Sequence, residues 1–202
     1  RGLGDVYKRQ QEQLVSMGPA AAKNFHDILQ TYEDLADQYG LWDAVSVIKE
    51  YGCSDDGFID FRAWLIAQGK EVYMNALRDP DTLADIEPYG DCCFECLSYV
   101  GDYAYEQLTG RSAYDEMEPD RIEKMRDELK KDIVYKNGIQ YPREPKDLPR
   151  FLPRLCEKYG GPERFLAAPS TWNYDLHEIR RLLDEGKVQD MATKKEKGGG
   201  AR

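Results

Sequence analysis

Cys53-Ser54-Asp55-Asp56-Gly57-Phe58-Ile59-Asp60-Phe61-Arg62-Ala63-Trp64-Leu65-Ile66-Ala67-Gln68-Gly69 is the stretch on which the fold turns. Phe58, Phe61 and Leu65 recur at helical spacing, and Ile59 and Ile66 widen the same apolar stripe. Ser54 or Asp55 stands where a side-chain oxygen can accept from the orphan N–H groups of a first helical turn. Gly69 interrupts the pattern. The reading is a break, a restart and an amphipathic helix whose apolar face needs other helices.

The neighbouring segments supply them. Phe25, Ile28, Leu29, Tyr32, Leu35, Ala36 and Tyr39 mark a helix between Pro19 and Gly40. Leu41, Val45, Ile48 and Tyr51 mark a second, stopped by Gly52. Val72, Tyr73, Ala76 and Leu77 resume the pattern after Gly69, and Asp79-Pro80-Asp81 ends it and opens a short helical turn through Leu83. Phe94, Leu97, Val100 or Gly101, Ala104 and Leu108 form the next helix, closed by Gly110, and Ile122, Met125, Leu129 and Ile133 another after Pro119. Tyr135 to Tyr141 hold an Asn-Gly turn that suits a tiny hairpin. Pro142, Pro145, Pro149 and Pro153 keep the helix around Leu148–Leu155 short or kinked. Asn173 or Asp175 caps a last helix carrying Leu176, Ile179, Leu182 and Leu183. The fold class is mainly α: a compact multi-helix bundle with a Pro-rich, partly irregular C-terminal extension. The expected organisation is a helical core over 19–110, a helical extension packing on it over 111–188, and a disordered, Gly-rich tail over 189–202.

Composition bounds the rest. The chain has 202 residues, 41% hydrophobic and 11% aromatic, enough for a real core and too much for wholesale disorder. No apolar run approaches the ~18 residues of a membrane span. Residues 31–120 hold 21 acids and five bases, net −16, whereas 121–202 are net +5. So acidic a segment repels phosphate backbones, so no nucleic-acid partner is expected; it suits a protein partner, a basic one in particular. Five cysteines, three of them clustered at 92, 93 and 96, make a poor disulfide framework and point to reduced thiols and a cytoplasmic setting. Arg1 opens the chain without a Met, and Asp5-Val6-Tyr7-Lys8-Arg9-Gln10 reads like a translated sequencing-library adapter; residues 1–10 are therefore expected to be non-native.

A resemblance rests on particular residues. Leu41-Trp42-Asp43-Ala44, then Gly52 to Phe58, then Phe61 to Gly69, continued by Asp79-Pro80-Asp81-Thr82-Leu83-Ala84, resemble the bacterial "domain of unknown function 4240" family over residues 20–110. That family typically has two glycines before the Cys; here Tyr51 precedes Gly52. The resemblance implies a small bacterial domain, and it implies no activity and no catalytic residues.

The candidate functional cluster is Trp42, Asp43, Ser54, Asp55, Asp56, Arg62, Trp64 and Gln68. Carboxylates at a helix N-terminus stay ionised, so Asp55 and Asp56 suit a base or an oxygen-ligated cation. Arg62 lies two helical turns on, where a folded-back loop would let it pair with them. The structural reading is a cap and an Asp–Arg clip; the functional one is a small hydrolase or ligand-binding domain with Trp42 and Trp64 lining its pocket. The remaining chemistry is sparse. One Cys-x-x-Cys without a second pair is a weak zinc signal, and Cys92 and Cys96 read as small hydrophobes sharing a helix face with Phe94 and Leu97 nearby. His26 and His177 pair visibly with no nucleophile, and no phosphate-binding Gly motif occurs, so neither metal nor cofactor is expected. Tyr99, Tyr103 and Tyr105 on one helix suit an interface. The expected function is a non-catalytic protein-interaction or regulatory module, marked by an exposed aromatic patch ringed by acids.

Overall fold

The computed structural model describes residues 3–49, 52–88, 91–133 and 144–166, and every regular element among them is helical. The element begun by the deciding stretch is α4, Asp55–Ala67. Ser54 is its N-cap, with Oγ accepting from the Gly57 N–H at 3.1 Å. Phe58, Phe61, Ala63, Trp64 and Leu65 are buried, which is the face the spacing marked. Gly69, at φ +92°, breaks α4 from α5, Lys70–Arg78. Asp79 then caps a 3-10 turn over Pro80–Asp85 by accepting from the Asp81 N–H at 3.2 Å.

Upstream, α1 (Leu3–Met17) and α2 (Pro19–Leu35) are separated by Gly18, and α3 spans Tyr39–Ile48. Two boundaries correct the sequence reading. The helix from Pro19 ends at Leu35, with Ala36 as its C-cap, and Gly40 sits inside the first turn of α3 rather than closing α2. The apolar spacing runs through the break because Tyr39 belongs to the next helix, where its ring stacks over Trp42 at 6.4 Å. A third difference is α1 itself, which precedes the first helix read from the sequence. Its Leu14 is buried with Ala22, Val100, Ala104, Tyr105 and Ala113, and Tyr7 packs against both apolar clusters.

Helix α6, Glu95–Thr109, makes its most extensive contact with α2 and the next with α1. Gly110 closes it in the left-handed conformation at φ +73°. The crossing with α2 is so close that a Cβ on Gly101 would lie 2.8 Å from His26 Cβ and 2.9 Å from His26 Cα and N. Helix α7, Pro119–Lys130, covers another side of α2, and α4 touches it too. α2 is thus enclosed on more faces than an amphipathic surface helix would be. His26, Asp27 and Thr31 are fully buried in it, and Glu33 nearly so.

The Pro-rich part is a chain of short pieces: a 3-10 turn over Pro145–Asp147, then α8 (Leu148–Phe151), α9 (Pro153–Lys158) and α10 (Pro162–Leu166). Leu148, Leu152, Leu155, Cys156 and Phe165 enter the main core. Asp81 fastens α9 to the preceding helices, its Oδ1 accepting the N–H groups of Arg154 and Leu155 at 3.1 and 3.0 Å. No described helix is long and apolar enough to cross a membrane. The Asn-Gly turn, the helix from Leu176 to Leu183 and the tail lie outside the described residues.

Candidate functional site

The eight residues of the predicted cluster do not gather round one point. Ser54, Asp55 and Asp56 are exposed at the start of α4, and no hydrogen bond or ion pair engages either carboxylate among the described residues. Asp43 is fully buried on α3. Trp42 donates its indole N–H to the Cys53 carbonyl at 2.7 Å and stacks on Phe58 at 4.9 Å. The stack continues from Phe58 to Phe61 at 6.2 Å and from Phe61 to Trp64 at 5.6 Å. Gln68 donates back to the Trp64 carbonyl at 3.0 Å. Trp42 and Trp64 are thus rungs of one aromatic ladder.

Arg62 is the main correction. It does not clip Asp55 or Asp56. Its guanidinium lies over the Phe58 ring at 5.2 Å, donates to the Glu33 carbonyl at 3.2 Å and approaches Asp37 at 3.4 Å. The reason is directional. Arg62 lies on the side of α4 that meets α2, two turns from the exposed cap, so the end of α2 supplies its partners. Among the described residues no hydrogen bond or ion pair joins Asp55 or Asp56 to Arg62.

A different polar group does converge, between α2 and α6. Glu33 Oε1 accepts from Ser98 Oγ at 2.6 Å, and Oε2 from Gln30 Nε2 at 3.1 Å. Gln30 also reaches the Tyr114 hydroxyl at 3.4 Å. Burial raises the Glu33 carboxyl above its ordinary range, against the opposing pull of the Ser98 hydrogen bond and Arg62. Asp27 is held by Lys23 at 2.6 Å and by Arg121 of α7 at 2.8 Å. Asp102 accepts from Ser112 Oγ at 2.9 Å and the Ala113 N–H at 2.6 Å, which hangs the 111–118 loop on α6. Tyr105, bonded to Glu116, fastens the same loop further along. His26 lies at the centre. Among the described residues both of its ring nitrogens lack a hydrogen-bond partner, and Tyr114 closes on it edge to face at 4.3 Å.

Above this layer lies an exposed aromatic face. Tyr99 and Tyr103, one turn apart on the outer side of α6, stack at 5.8 Å. Tyr103 is 47% exposed and Tyr114 39%. Glu95, Asp60 and Glu33 act on Tyr99, and Glu33 and Asp102 on Tyr114, with the neighbouring tyrosines acting in the same sense. Burial first, then Glu33, Tyr99 and Asp102, push the Tyr114 hydroxyl up to about 12.

A family model described as "Protein of unknown function (DUF4240)" matches residues 2–107, just over half of the chain. The chain belongs to the DUF4240 family. The match spans α1 to α5 and nearly all of α6, so Glu33, Tyr99 and Tyr103 fall within the DUF4240 region and Tyr114 beyond it. No curated protein and no solved structure matches the chain.

The cysteines of this DUF4240 chain depart from the sequence reading. Cys92 is buried but stands before α6 with φ +57°, and Cys96 is exposed on the helix, so the two share no apolar face. Cys93 donates its S–H to Asp60 Oδ2 at 3.1 Å. Burial pushes the Cys53 and Cys92 thiols up to about 11 and Cys156 to about 12, so these three are protonated at neutral pH. Among the described residues no three of His, Cys, Asp and Glu gather to hold a metal ion. Sequence reasoning passed over Gln30, Glu33, Ser98, Asp102 and Tyr114. A signal existed: His26, Gln30 and Glu33 recur at i, i+4 and i+7, a polar stripe on a helix whose apolar stripe is also complete.

Proposed function

We propose that this DUF4240 chain is a non-catalytic binding module that presents the outer face of α6 and Tyr114 to a basic segment of a protein partner. One observation carries the reading: three partly exposed tyrosines, with the acids Glu95, Asp60 and Glu33 acting on Tyr99 and Glu33 and Asp102 on Tyr114. Tyrosine rings offer rigid apolar area and a negative π face, both suited to the stems and cations of Lys and Arg. The surrounding carboxylates add steering toward a basic chain. The net −16 over residues 31–120 extends the same attraction beyond the patch.

The test is a calorimetric titration of the whole chain with a Lys/Arg-rich peptide and with an acidic peptide of equal length. The basic peptide binds, binds more weakly as salt rises, and loses about tenfold in affinity for Tyr103→Ser, in the range of an interface anchor. Equal affinity for the acidic peptide, or indifference to substitution at both Tyr99 and Tyr103, overturns the proposal.

A further inference from the structure

His26 is buried in an unusual way. Its surface is fully covered, and neither ring nitrogen has a hydrogen-bond partner among the described residues. A neutral imidazole carries one N–H donor and one bare nitrogen, so a buried donor and a buried acceptor are both left unmet. The ring cannot retreat, because the α6 backbone at Gly101 presses against His26 Cβ, Cα and N. On its other side lies Tyr114, which is itself 39% exposed and belongs to a loop rather than a helix.

We infer that Tyr114 and His26 form an acid-operated latch on the tyrosine face. With His26 neutral, Tyr114 stays down and the face is complete. When the bare ring nitrogen takes a proton from water, the imidazolium needs hydration or a carboxylate, and Tyr114 must leave to provide it. The charged groups around the ring are Asp27 and Lys23 on α2 and Asp102 on α6, with Arg121 of α7 bonded to the same Asp27. Asp27 is already held by two cations. Among the described residues Asp102 is held by Ser112 Oγ and the Ala113 N–H, two of the groups that fasten the Tyr114 loop, beside the Tyr105–Glu116 bond further along. A positive His26 draws Asp102 away from that loop, so protonation and release of Tyr114 are one event. Burial, the largest influence, lowers the His26 pKa in the closed form, which agrees with a latch that resists its first proton.

As regulation of a binding face, the latch rests on the function proposed above, but its first test needs no partner. The two imidazoles, His26 and His177, are followed by NMR against pH in the whole chain, with His177→Gln making the assignment. His26 titrates below the ordinary ~6.5 in the native chain and in Tyr114→Phe, and moves up in Tyr114→Ala. Hydrogen exchange across 111–116, corrected for intrinsic rates, speeds up as His26 takes its proton. A native His26 that titrates at its ordinary value, or one that Tyr114→Ala does not move, overturns the latch. The affinity of the basic peptide then falls with acidification by up to about tenfold per pH unit in the native chain. It also falls in Glu33→Gln, which removes the raised Glu33 carboxyl as a source of the pH dependence. Peptide binding that ignores pH while His26 titrates overturns the control of the face. If no peptide binds at all, the function fails, and NMR and exchange still decide the latch.

Discussion

Gly101→Ala gives a prediction whose sign is informative. Gly101 lies inside α6, where replacing Gly with Ala ordinarily stabilises by about 1 kcal/mol through helix propensity. Here the new methyl would sit 2.8 Å from His26 Cβ and 2.9 Å from His26 Cα and N. Two of those three are backbone atoms of α2, so no rotamer change relieves the contact. The helices must separate, and overpacking of this kind costs about 1–3 kcal/mol. Separation also weakens dispersion along the most extensive helix contact in the fold. With the propensity gain set against the larger of these, the net loss is about 2 kcal/mol, or about 4–8 °C in Tm for a chain of this size. Thermal and urea melts measure it, with Glu106→Ala on the exposed side of the same helix as the control. Gly101→Ala at or above native stability would refute the close crossing and, with it, the confinement of His26.

Three further outcomes follow from the contacts. Arg62→Ala removes the bond to the Glu33 carbonyl and the cation over Phe58, and loses about 1–3 kcal/mol; double-mutant cycles show coupling of Arg62 with Asp37 and none with Asp55 or Asp56. Ser54→Ala loses about 1 kcal/mol of cap, and Ser54→Asp keeps most of it, both read by denaturant midpoint. Glu33 has a raised pKa in the fold, so its contribution is most favourable below about pH 4.5, where folded and unfolded forms are both protonated, and is lost as pH climbs toward the folded value. Glu33→Gln therefore flattens stability over that window, in melts recorded against pH, while leaving the acid limb below it unchanged.

Local rules explain why the helices were readable. Ser54 before an apolar repeat, Pro19 and Pro119 at first turns, Gly69 and Gly110 at breaks each act over a few residues, and the structure places α2, α4, α5, α6 and α7 where those signals stand. Boundaries failed where one apolar pattern served two helices, as at Tyr39. The partners of Arg62 differ from the expected clip for a tertiary reason. Arg62 takes partners 29 and 25 positions back, on a helix whose end is brought there only by packing. The polar layer was passed over for the converse reason. His26, Asp27, Gln30 and Glu33 look like the wet side of an amphipathic helix until α6 and α7 cover that side as well. Tyr99 and Tyr103 were legible as interface residues from type and spacing, but Tyr114 was not, because a loop hung on Asp102 brings it beside them.

Hydrogen-exchange mapping of the whole chain with and without a Lys/Arg-rich peptide tests the proposed face most directly. Protection is expected in 95–107 and 111–118, with little change over 42–68. Protection centred on 42–68, or spread without preference over the acidic surface, would contradict it.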